Sequence, residues 1–208
     1  MFDAGLLRLV VITDSLLDGV EGLAGRAAAA VRGGATMLQL RLHDESPRTL
    51  ADVARALRRA APDVPLLVND RADVALAVDA EGVHLGSDGV SPAALRLVVP
   101  ARFVIGVSVG SESDIARAVG ADYVAIGPVF SSGQPSGAPG AMGVARFLEL
   151  AKRCGLPAVA IGGLTPGNAA AVCEAGAAGV AVISAVFGAP DPMLAARAFR
   201  SAQDATGR

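Results

Sequence analysis

The stretch PAVAIGGLTPGNAAAVCEAGAAGVAVISAVF, residues 157–187, decides the fold of this chain. It contains two apolar runs, at 158–161 and 179–183, which have the length of strands buried on both faces. Between the runs, Thr165 and Pro166 indicate a helix start, because a hydroxyl suits the cap position and proline suits the first helical position. The stretch therefore predicts a strand–helix–strand unit with parallel strands.

Both strands of this unit end at small residues. The first stops at Gly162 and Gly163, and the second stops at Ser184. Residues of this kind leave backbone N–H groups accessible, which favours a phosphate cradle over two ordinary glycine turns. In an eight-stranded α/β barrel, the loops after strands seven and eight commonly form such a site.

The same unit recurs along the whole chain. Predicted strands cover 7–12, 36–41, 65–68, 82–85, 102–107, 122–126, 158–161 and 179–183, and predicted helices cover 18–32, 46–61, 71–78, a segment from 91, 112–119, 144–153, 165–176 and 191–204. Eight such alternations predict an α/β fold, a single (β/α)8 barrel formed by one domain, residues 1–208. The alternative is an open doubly wound sheet. The long Gly-, Ser- and Pro-rich loop at 127–143 has the composition of a functional lid or a disordered segment.

Composition excludes several classes of function. The chain has 208 residues, a net charge of −2, 3% aromatic residues and no Trp, so it lacks the basic, aromatic surface of a nucleic-acid module. It has no apolar stretch of membrane-spanning length and no signal-peptide pattern at its start. Its two cysteines, Cys154 and Cys173, lie in predicted helices and are interpreted as small buried hydrophobic residues in a reducing compartment. A cytoplasmic protein is expected.

Polar residues cluster at the predicted strand ends, where active sites of this fold lie. Gln39 and Arg41 are two residues apart and so share one side of a strand. An inward arginine needs an anion, either a ligand or a carboxylate such as Asp70 or Asp14, and the residues alone leave both open. Asn69 and Asp70 suit a divalent cation or a cationic ring, although they also suit a helix cap.

The other polar residues indicate no covalent catalyst. His43 and His84 stand apart from any nucleophile or zinc-ligand spacing, and a hydrogen-bonded structural role is favoured for His84. The set of arginine, amides, carboxylate, serine and glycine turns suits electrostatic binding of a phosphorylated or diphosphorylated small molecule.

The chain resembles the thiamine phosphate synthase / TenI superfamily over nearly its whole length. The matching stretches are VVITD, GGATMLQLR, LLVNDRADVALAVDAEGVHLG, IGVSVGS, GADYVAIGPVF and AVAIGGLTPGNAAAVCEAGAAGVAVISAVF. The resemblance implies an enzyme that joins hydroxymethylpyrimidine diphosphate to thiazole phosphate with Mg²⁺ and releases pyrophosphate. In this reaction the diphosphate leaves first and the thiazole nitrogen attacks the resulting pyrimidine carbocation. The TenI branch instead includes thiazole tautomerases.

The resemblance also assigns site residues. It implies catalytic roles for Arg41 and Ser108, substrate contacts at Gln39, Arg41, Asn69 and Ser108, a thiazole-phosphate cradle at Gly163, Ile183 and Ser184, and an Mg²⁺ ligand at Asp70. His43, Ser132 and Gln134 are further candidates for substrate binding, and Asp88 is a candidate second metal ligand, at or beside positions where the family has other residues.

Four departures from the family pattern accompany these matches. Leu42 and His43 replace Glu and Lys, and Gly89 stands where the family has its second metal-binding Asp. Ser132, Gly133, Gln134 and Pro135 replace a Thr-x-Thr-Lys pattern, and Gly110 stands where the tautomerase branch has a catalytic His. The first three departures affect the half of the site that would bind the diphosphate and the metal, so weak Mg²⁺ binding is expected.

The residues and the resemblance therefore leave three candidate functions. The favoured one is a thiamine phosphate synthase, an alkyl transferase of thiamine biosynthesis. The alternatives are a TenI-like thiazole tautomerase and a catalytically silent protein that binds thiazole phosphate or thiamine phosphate. The expected partners are phosphorylated small molecules, with neither nucleic acid nor membrane, and a homodimer is the assembly considered.

Overall fold

Eight short apolar strands pair in chain order, and the last pairs with the first, so that the sheet closes into a parallel barrel. This computed structural model describes residues 2–16, 18–131 and 140–205. The strands are β1 Leu9–Ile12, β2 Met37–Leu40, β3 Leu66–Asn69, β4 Gly82–Leu85, β5 Val104–Val109, β6 Tyr123–Ile126, β7 Ala158–Ile161 and β8 Gly179–Val182. The predicted (β/α)8 barrel is confirmed, and the alternative of an open sheet is wrong.

Helices connect the strands on the outside of the barrel. They are α1 Gly19–Arg32, α2 Pro47–Ala60, α3 Ala72–Ala77, α4 Pro92–Arg96, α5 Gly143–Cys154, α6 Pro166–Glu174, α7 Ser184–Phe187 and α8 Pro192–Asp204. The predicted helix starts at Ser46 and Thr165 are confirmed. The Ser46 side chain accepts a hydrogen bond from the Thr49 backbone, and Thr165 forms a capping box with Asn168.

Three local features differ from the sequence predictions. The first strand begins at Leu9 because residues Ala4–Leu7 form a 3-10 helix, which Asp3 caps by accepting a hydrogen bond from the Gly5 N–H. The fifth connection, Glu112–Ala118, is also a 3-10 helix. The short helix α7 follows β8 directly and was not predicted, because a single turn is too short to show a periodic apolar face.

Two apolar layers explain why nearly every strand residue is buried. Side chains that point into the barrel, such as Val10, Leu67 and Ala181, form one cluster. Side chains that point outward, such as Val11, Val68 and Val180, pack against the surrounding helices in a second, larger cluster. Strands of this kind are covered on both faces, and this accounts for their continuous apolar sequence.

The register of β4, β5 and β6 places one row of residues across the barrel wall. His84 on β4 pairs with Gly106 on β5, and Gly106 pairs with Tyr123 on β6. A Cβ at position 106 would lie only 2.3 Å from the Tyr123 ring. The missing side chain at Gly106 therefore leaves the space that the tyrosine ring occupies.

The segment after β6 lies against the turn that follows β7. Val129 and Phe130 donate backbone hydrogen bonds to the carbonyls of Ile161 and Gly162, at 2.9 and 3.1 Å. A Cβ at Gly163 would lie 2.4 Å from the Phe130 carbonyl oxygen, so this turn admits only glycine at that position. Within the described residues, no helix is long and apolar enough to cross a membrane.

Candidate active site

A cavity of about 210 Å³ lies inside the barrel. Its polar side chains come mainly from β2 to β5 and the residues that follow them, and they are Gln39, Arg41, Asn69, His84, Ser108 and Tyr123. The other described residues of the lining are apolar and come from β1, from β6 to β8 and from the residue that follows β8. Several of the polar side chains stand at the carboxyl ends of strands, where barrels of this class place their active sites.

One chain of hydrogen bonds runs from β2 to the loop after β4. The buried Gln39 donates from Nε2 to Oδ1 of Asn69 at 2.9 Å, and Asn69 donates from Nδ2 to Oδ2 of Asp70 at 2.7 Å. The Gly86 N–H donates to Oδ1 of Asp70 at 2.7 Å. Each carboxylate oxygen of Asp70 thus has one fixed donor and keeps lone-pair capacity for another partner.

Asp70 holds this place in a strained backbone conformation. Its φ is +57°, which is uncommon for residues other than glycine. Its N–H donates to the His84 carbonyl at 2.8 Å, so the turn after β3 is tied to β4. The predicted alternative, in which Asp70 caps the third helix, is wrong, because Arg71 stands at that cap and the Asp70 side chain bonds Asn69 and Gly86 instead.

A second chain of hydrogen bonds runs from β4 to β5 and β6. The buried His84 lies 2.9 Å from the Tyr123 hydroxyl through Nδ1 and 3.0 Å from the Ser108 hydroxyl through Nε2. Burial lowers the pKa of His84 from 6.5 to about 4, although Asp70 raises it slightly, so the ring is neutral at neutral pH. Burial likewise raises the pKa of Tyr123, which stays protonated.

Arg41 follows β2 and also lines the cavity. Its backbone N–H donates to the Thr13 hydroxyl at 2.9 Å, and that hydroxyl donates to the Arg41 carbonyl at 3.0 Å. Among the described residues, no carboxylate forms an ion pair with its guanidinium. The alternative of a structural ion pair with Asp14 or Asp70 is therefore not what the fold contains.

The turns after β7 and β8 contain the residues that the sequence predicted to form a phosphate cradle. Gly162 and Gly163 have positive φ values of +92° and +62°. Ser184 is the first residue of α7, where a backbone N–H has no acceptor within the helix. Ile183 lies just before it and contributes to the cavity lining. These turns belong to adjacent strands, since β7 pairs with β8.

With this geometry in place, comparison with known proteins identifies the family. A family profile described as thiamine monophosphate synthase matches residues 9–186. The chain belongs to this family. The match spans the strand pairs and the cavity residues described above.

Relatives and solved structures of the family agree with this assignment. A thiamine-phosphate synthase of Xanthobacter autotrophicus is 44% identical over 200 residues, which cover 94% of this chain and 95% of the relative. One of Methanoculleus marisnigri is 44% identical over 207 residues, covering 96% and 98%. The structure of a thiamine phosphate pyrophosphorylase from Pyrococcus furiosus superimposes with a TM-score of 0.85 at 35% identity and covers 98% of each chain.

The other residues that the sequence singled out are exposed, lie in a turn or fall outside the described part of the chain. His43 and Asp88 are exposed, and neither lines the cavity. Ser132 and Gln134, together with the family departure at Pro135, lie outside the described residues. Gly110 follows β5, and its N–H donates to Asp114 at 2.9 Å, so this position offers a backbone turn and no side chain.

The residues present fit Mg²⁺ only in part. No group of three or more His, Cys, Asp or Glu that could hold a metal ion occurs within 2–16, 18–131 and 140–205. Asp70 supplies one carboxylate with spare lone pairs. A Cβ at Gly89 would lie 3.3 Å from Oδ1 of Asp70, so position 89 faces this carboxylate but provides no oxygen of its own. One carboxylate together with substrate phosphates is a donor set that Mg²⁺ uses in other enzymes.

Two polar residues of the cavity were not predicted as residues of the functional site. Tyr123 was read only as part of a strand, and His84 was given a structural role, whereas both line the cavity. A signal was available: the chain has a single tyrosine, and it begins a strand in which every second residue points into the barrel.

Proposed function

We propose that the protein is a thiamine-phosphate synthase, which joins hydroxymethylpyrimidine diphosphate to thiazole phosphate and releases pyrophosphate. One observation carries the proposal: relatives of this name match 94% or more of the chain at 44% identity. The cavity supports it, because the side chains that line it include an arginine, two amides and a serine, the groups that bind a diphosphate and a polar ring.

The two halves of the cavity suit the two substrates. The polar half, with Arg41, Gln39, Asn69 and Ser108, would take the pyrimidine diphosphate. The apolar half ends at the turns that contain Gly163 and Ser184, whose backbone N–H groups would hold the thiazole phosphate. This division is the one that the resemblance implied, and the role of each residue is a proposal.

The proposed reaction breaks one bond and forms another, and the residues of the cavity would stabilise the charge that develops. The bond between the pyrimidine methylene carbon and the diphosphate oxygen breaks, and its electron pair leaves with the diphosphate. The thiazole nitrogen then gives its lone pair to the same carbon. Arg41 and Ser108 would donate hydrogen bonds to the departing oxygens, where charge develops. Mg²⁺, held by Asp70 and by diphosphate oxygens, would supply further neutralisation of that charge.

The synthase is tested directly with both substrates. With Mg²⁺ present, we expect hydroxymethylpyrimidine diphosphate and thiazole phosphate to give thiamine phosphate, identified by mass spectrometry, together with one equivalent of pyrophosphate. The same mixture with Ser108→Ala serves as the control, and we expect slower turnover because one donor to the leaving group is lost. Absence of thiamine phosphate at any Mg²⁺ concentration would count against the proposal.

The tautomerase alternative is not favoured. The relatives reported above are named as synthases or as a pyrophosphorylase. Gly110 also offers no general base at the position where the resemblance places the catalytic histidine of that branch. Isomerisation of thiazole carboxylate phosphate without any coupling would reverse this preference.

A single substitution should strengthen the metal site. We expect Gly89→Asp to raise Mg²⁺ affinity in the presence of pyrophosphate by about tenfold or more, because a second carboxylate beside Asp70 adds about 1.4 kcal/mol or more of attraction to the cation. Calorimetric titration of Mg²⁺ measures the change. Gly89→Asn has the same size without the charge and should leave the affinity near that of the wild type.

The opposite outcome of that titration is also informative. If the wild-type protein already binds Mg²⁺ as tightly as Gly89→Asp does, and if Asp88→Asn abolishes this binding, then Asp88 supplies the second carboxylate. The expectation of weak binding would then be wrong.

The homodimer and the cytoplasmic location stay predictions from the sequence.

A further inference from the structure

We propose that Tyr123 is a positioning residue for the transfer reaction, because its hydroxyl fixes the proton of His84 on Nε2 and thereby turns the Ser108 hydroxyl hydrogen toward the cavity. The inference rests on the proposed function for its catalytic consequence. Its structural basis is the chain of side-chain hydrogen bonds from Tyr123 to His84 and from His84 to Ser108, with distances of 2.9 and 3.0 Å.

The direction of the first hydrogen bond follows from the burial of Tyr123. Its side chain is 1% exposed, and a buried hydroxyl must use its donor. In the described part of the chain, Nδ1 of His84 is the one acceptor within hydrogen-bond distance of that hydroxyl. If Nδ1 carried the proton instead, the tyrosine O–H would have no acceptor among the side chains and backbone groups that the structure describes. The hydroxyl therefore donates and Nδ1 accepts.

The second hydrogen bond then has only one arrangement. A neutral imidazole has one donor and one acceptor, so an accepting Nδ1 leaves the proton on Nε2. Nε2 donates to the Ser108 oxygen at 3.0 Å. The Ser108 hydroxyl hydrogen is consequently not used by His84 and can be donated to a ligand. In the other tautomer, Ser108 would donate to His84 and present only lone pairs, which repel a diphosphate.

The barrel wall is built to hold Tyr123 in this position. Gly106 stands between His84 and Tyr123 in the strand register, and any larger residue there would collide with the ring. Phe2 stacks on the Tyr123 ring, with ring centroids 5.9 Å apart and planes 15° from parallel. The Gly106 gap is what permits the hydroxyl to reach across β5, and Phe2 adds packing against the ring.

The tautomer can be measured in the ligand-free protein. The chain has two histidines, so histidine labelled with nitrogen-15 gives two ring systems, and the exposed His43 is assigned with a His43→Gln variant. We expect the proton of His84 on Nε2 in the wild type and a measurable population of the Nδ1–H form in Tyr123→Phe. A wild-type proton on Nδ1 would overturn the proposal.

Kinetics and binding test the consequence for Ser108. Tyr123→Phe keeps the ring in place, and we expect kcat to fall by roughly tenfold, the effect of one misdirected hydrogen bond, with little change in KM for thiazole phosphate. In a Ser108→Ala background the same substitution should have no further effect on kcat. An equal loss of kcat in both backgrounds would overturn the proposal, because Tyr123 would then act independently of Ser108.

A packing control and a second ligand complete the test. Phe2→Leu removes the stacked ring and keeps the hydroxyl, so it should lower the melting temperature without shifting the His84 tautomer or kcat. If the wild-type protein forms no thiamine phosphate, the proposed function fails separately, and affinity for inorganic pyrophosphate replaces kcat in the cycle. Equal pyrophosphate affinity in the wild type, Tyr123→Phe and Ser108→Ala would then contradict the role assigned to Tyr123.

Discussion

Replacement of Arg41 by alanine should weaken binding of the pyrimidine diphosphate by roughly 1.5–3 kcal/mol, the range for hydrogen bonds to charged groups. The ligand-free protein should melt at nearly the same temperature as the wild type. The reason is that Arg41 forms no ion pair with a carboxylate among the described residues, while Asp70 is already bonded to Asn69 and to the Gly86 N–H. Removing the guanidinium therefore leaves no buried carboxylate without a partner.

Two measurements separate a ligand role from a structural role of Arg41. Thermal melts of the ligand-free wild type and Arg41→Ala report the structural contribution, and calorimetric titration with pyrophosphate reports the binding contribution. Arg41→Lys is the matched control, since it keeps the charge and loses the planar pair of donors, so it should recover part of the affinity. A loss of about 3–5 kcal/mol in ligand-free stability would show instead that Arg41 neutralises a buried carboxylate.

The alternation of apolar runs and glycine-ended helices was enough to predict the closed barrel. The strand at Gly82–Leu85 was placed correctly because turn residues bound it on both sides. The 3-10 helix at Ala4–Leu7 could not be separated from the first strand, since its leucines extend the same apolar run. Its geometry depends on the cap at Asp3, where tertiary packing and a local hydrogen bond override the apolar pattern.

The residues of the candidate site were predictable to different degrees. Gln39, Arg41 and Asn69 stand at strand ends, so the rule that parallel strands carry their sites at the carboxyl end was enough to bring them together. The link between His84 and Tyr123 was not predictable in this way. It depends on the register across three strands and on the gap at Gly106, and register is a property of the closed sheet that local sequence does not show.

The second prediction with a large expected effect is that the protein loses stability in acid. The neutral form of His84 is favoured in the folded protein, where its pKa falls from 6.5 to about 4. Below pH 6.5 the unfolded chain therefore binds a proton that the folded chain does not, and the free energy of unfolding decreases as the pH falls. A difference of about 2.5 pKa units corresponds to about 3 kcal/mol, lost progressively between pH 6.5 and pH 4. Above pH 6.5 this contribution to stability is fully present.

Urea unfolding at several pH values, compared between the wild type and His84→Gln, isolates this contribution. Glutamine can bond the Tyr123 and Ser108 hydroxyls and does not titrate, so the carboxylates that also destabilise the protein in acid affect both proteins equally. The wild type should lose about 3 kcal/mol more than His84→Gln between pH 6.5 and pH 4, because only the wild type has a buried imidazole to protonate. Parallel pH profiles for the two proteins would mean that water or a rearrangement solvates the imidazolium, and that the row His84–Gly106–Tyr123 opens more easily than its packing indicates.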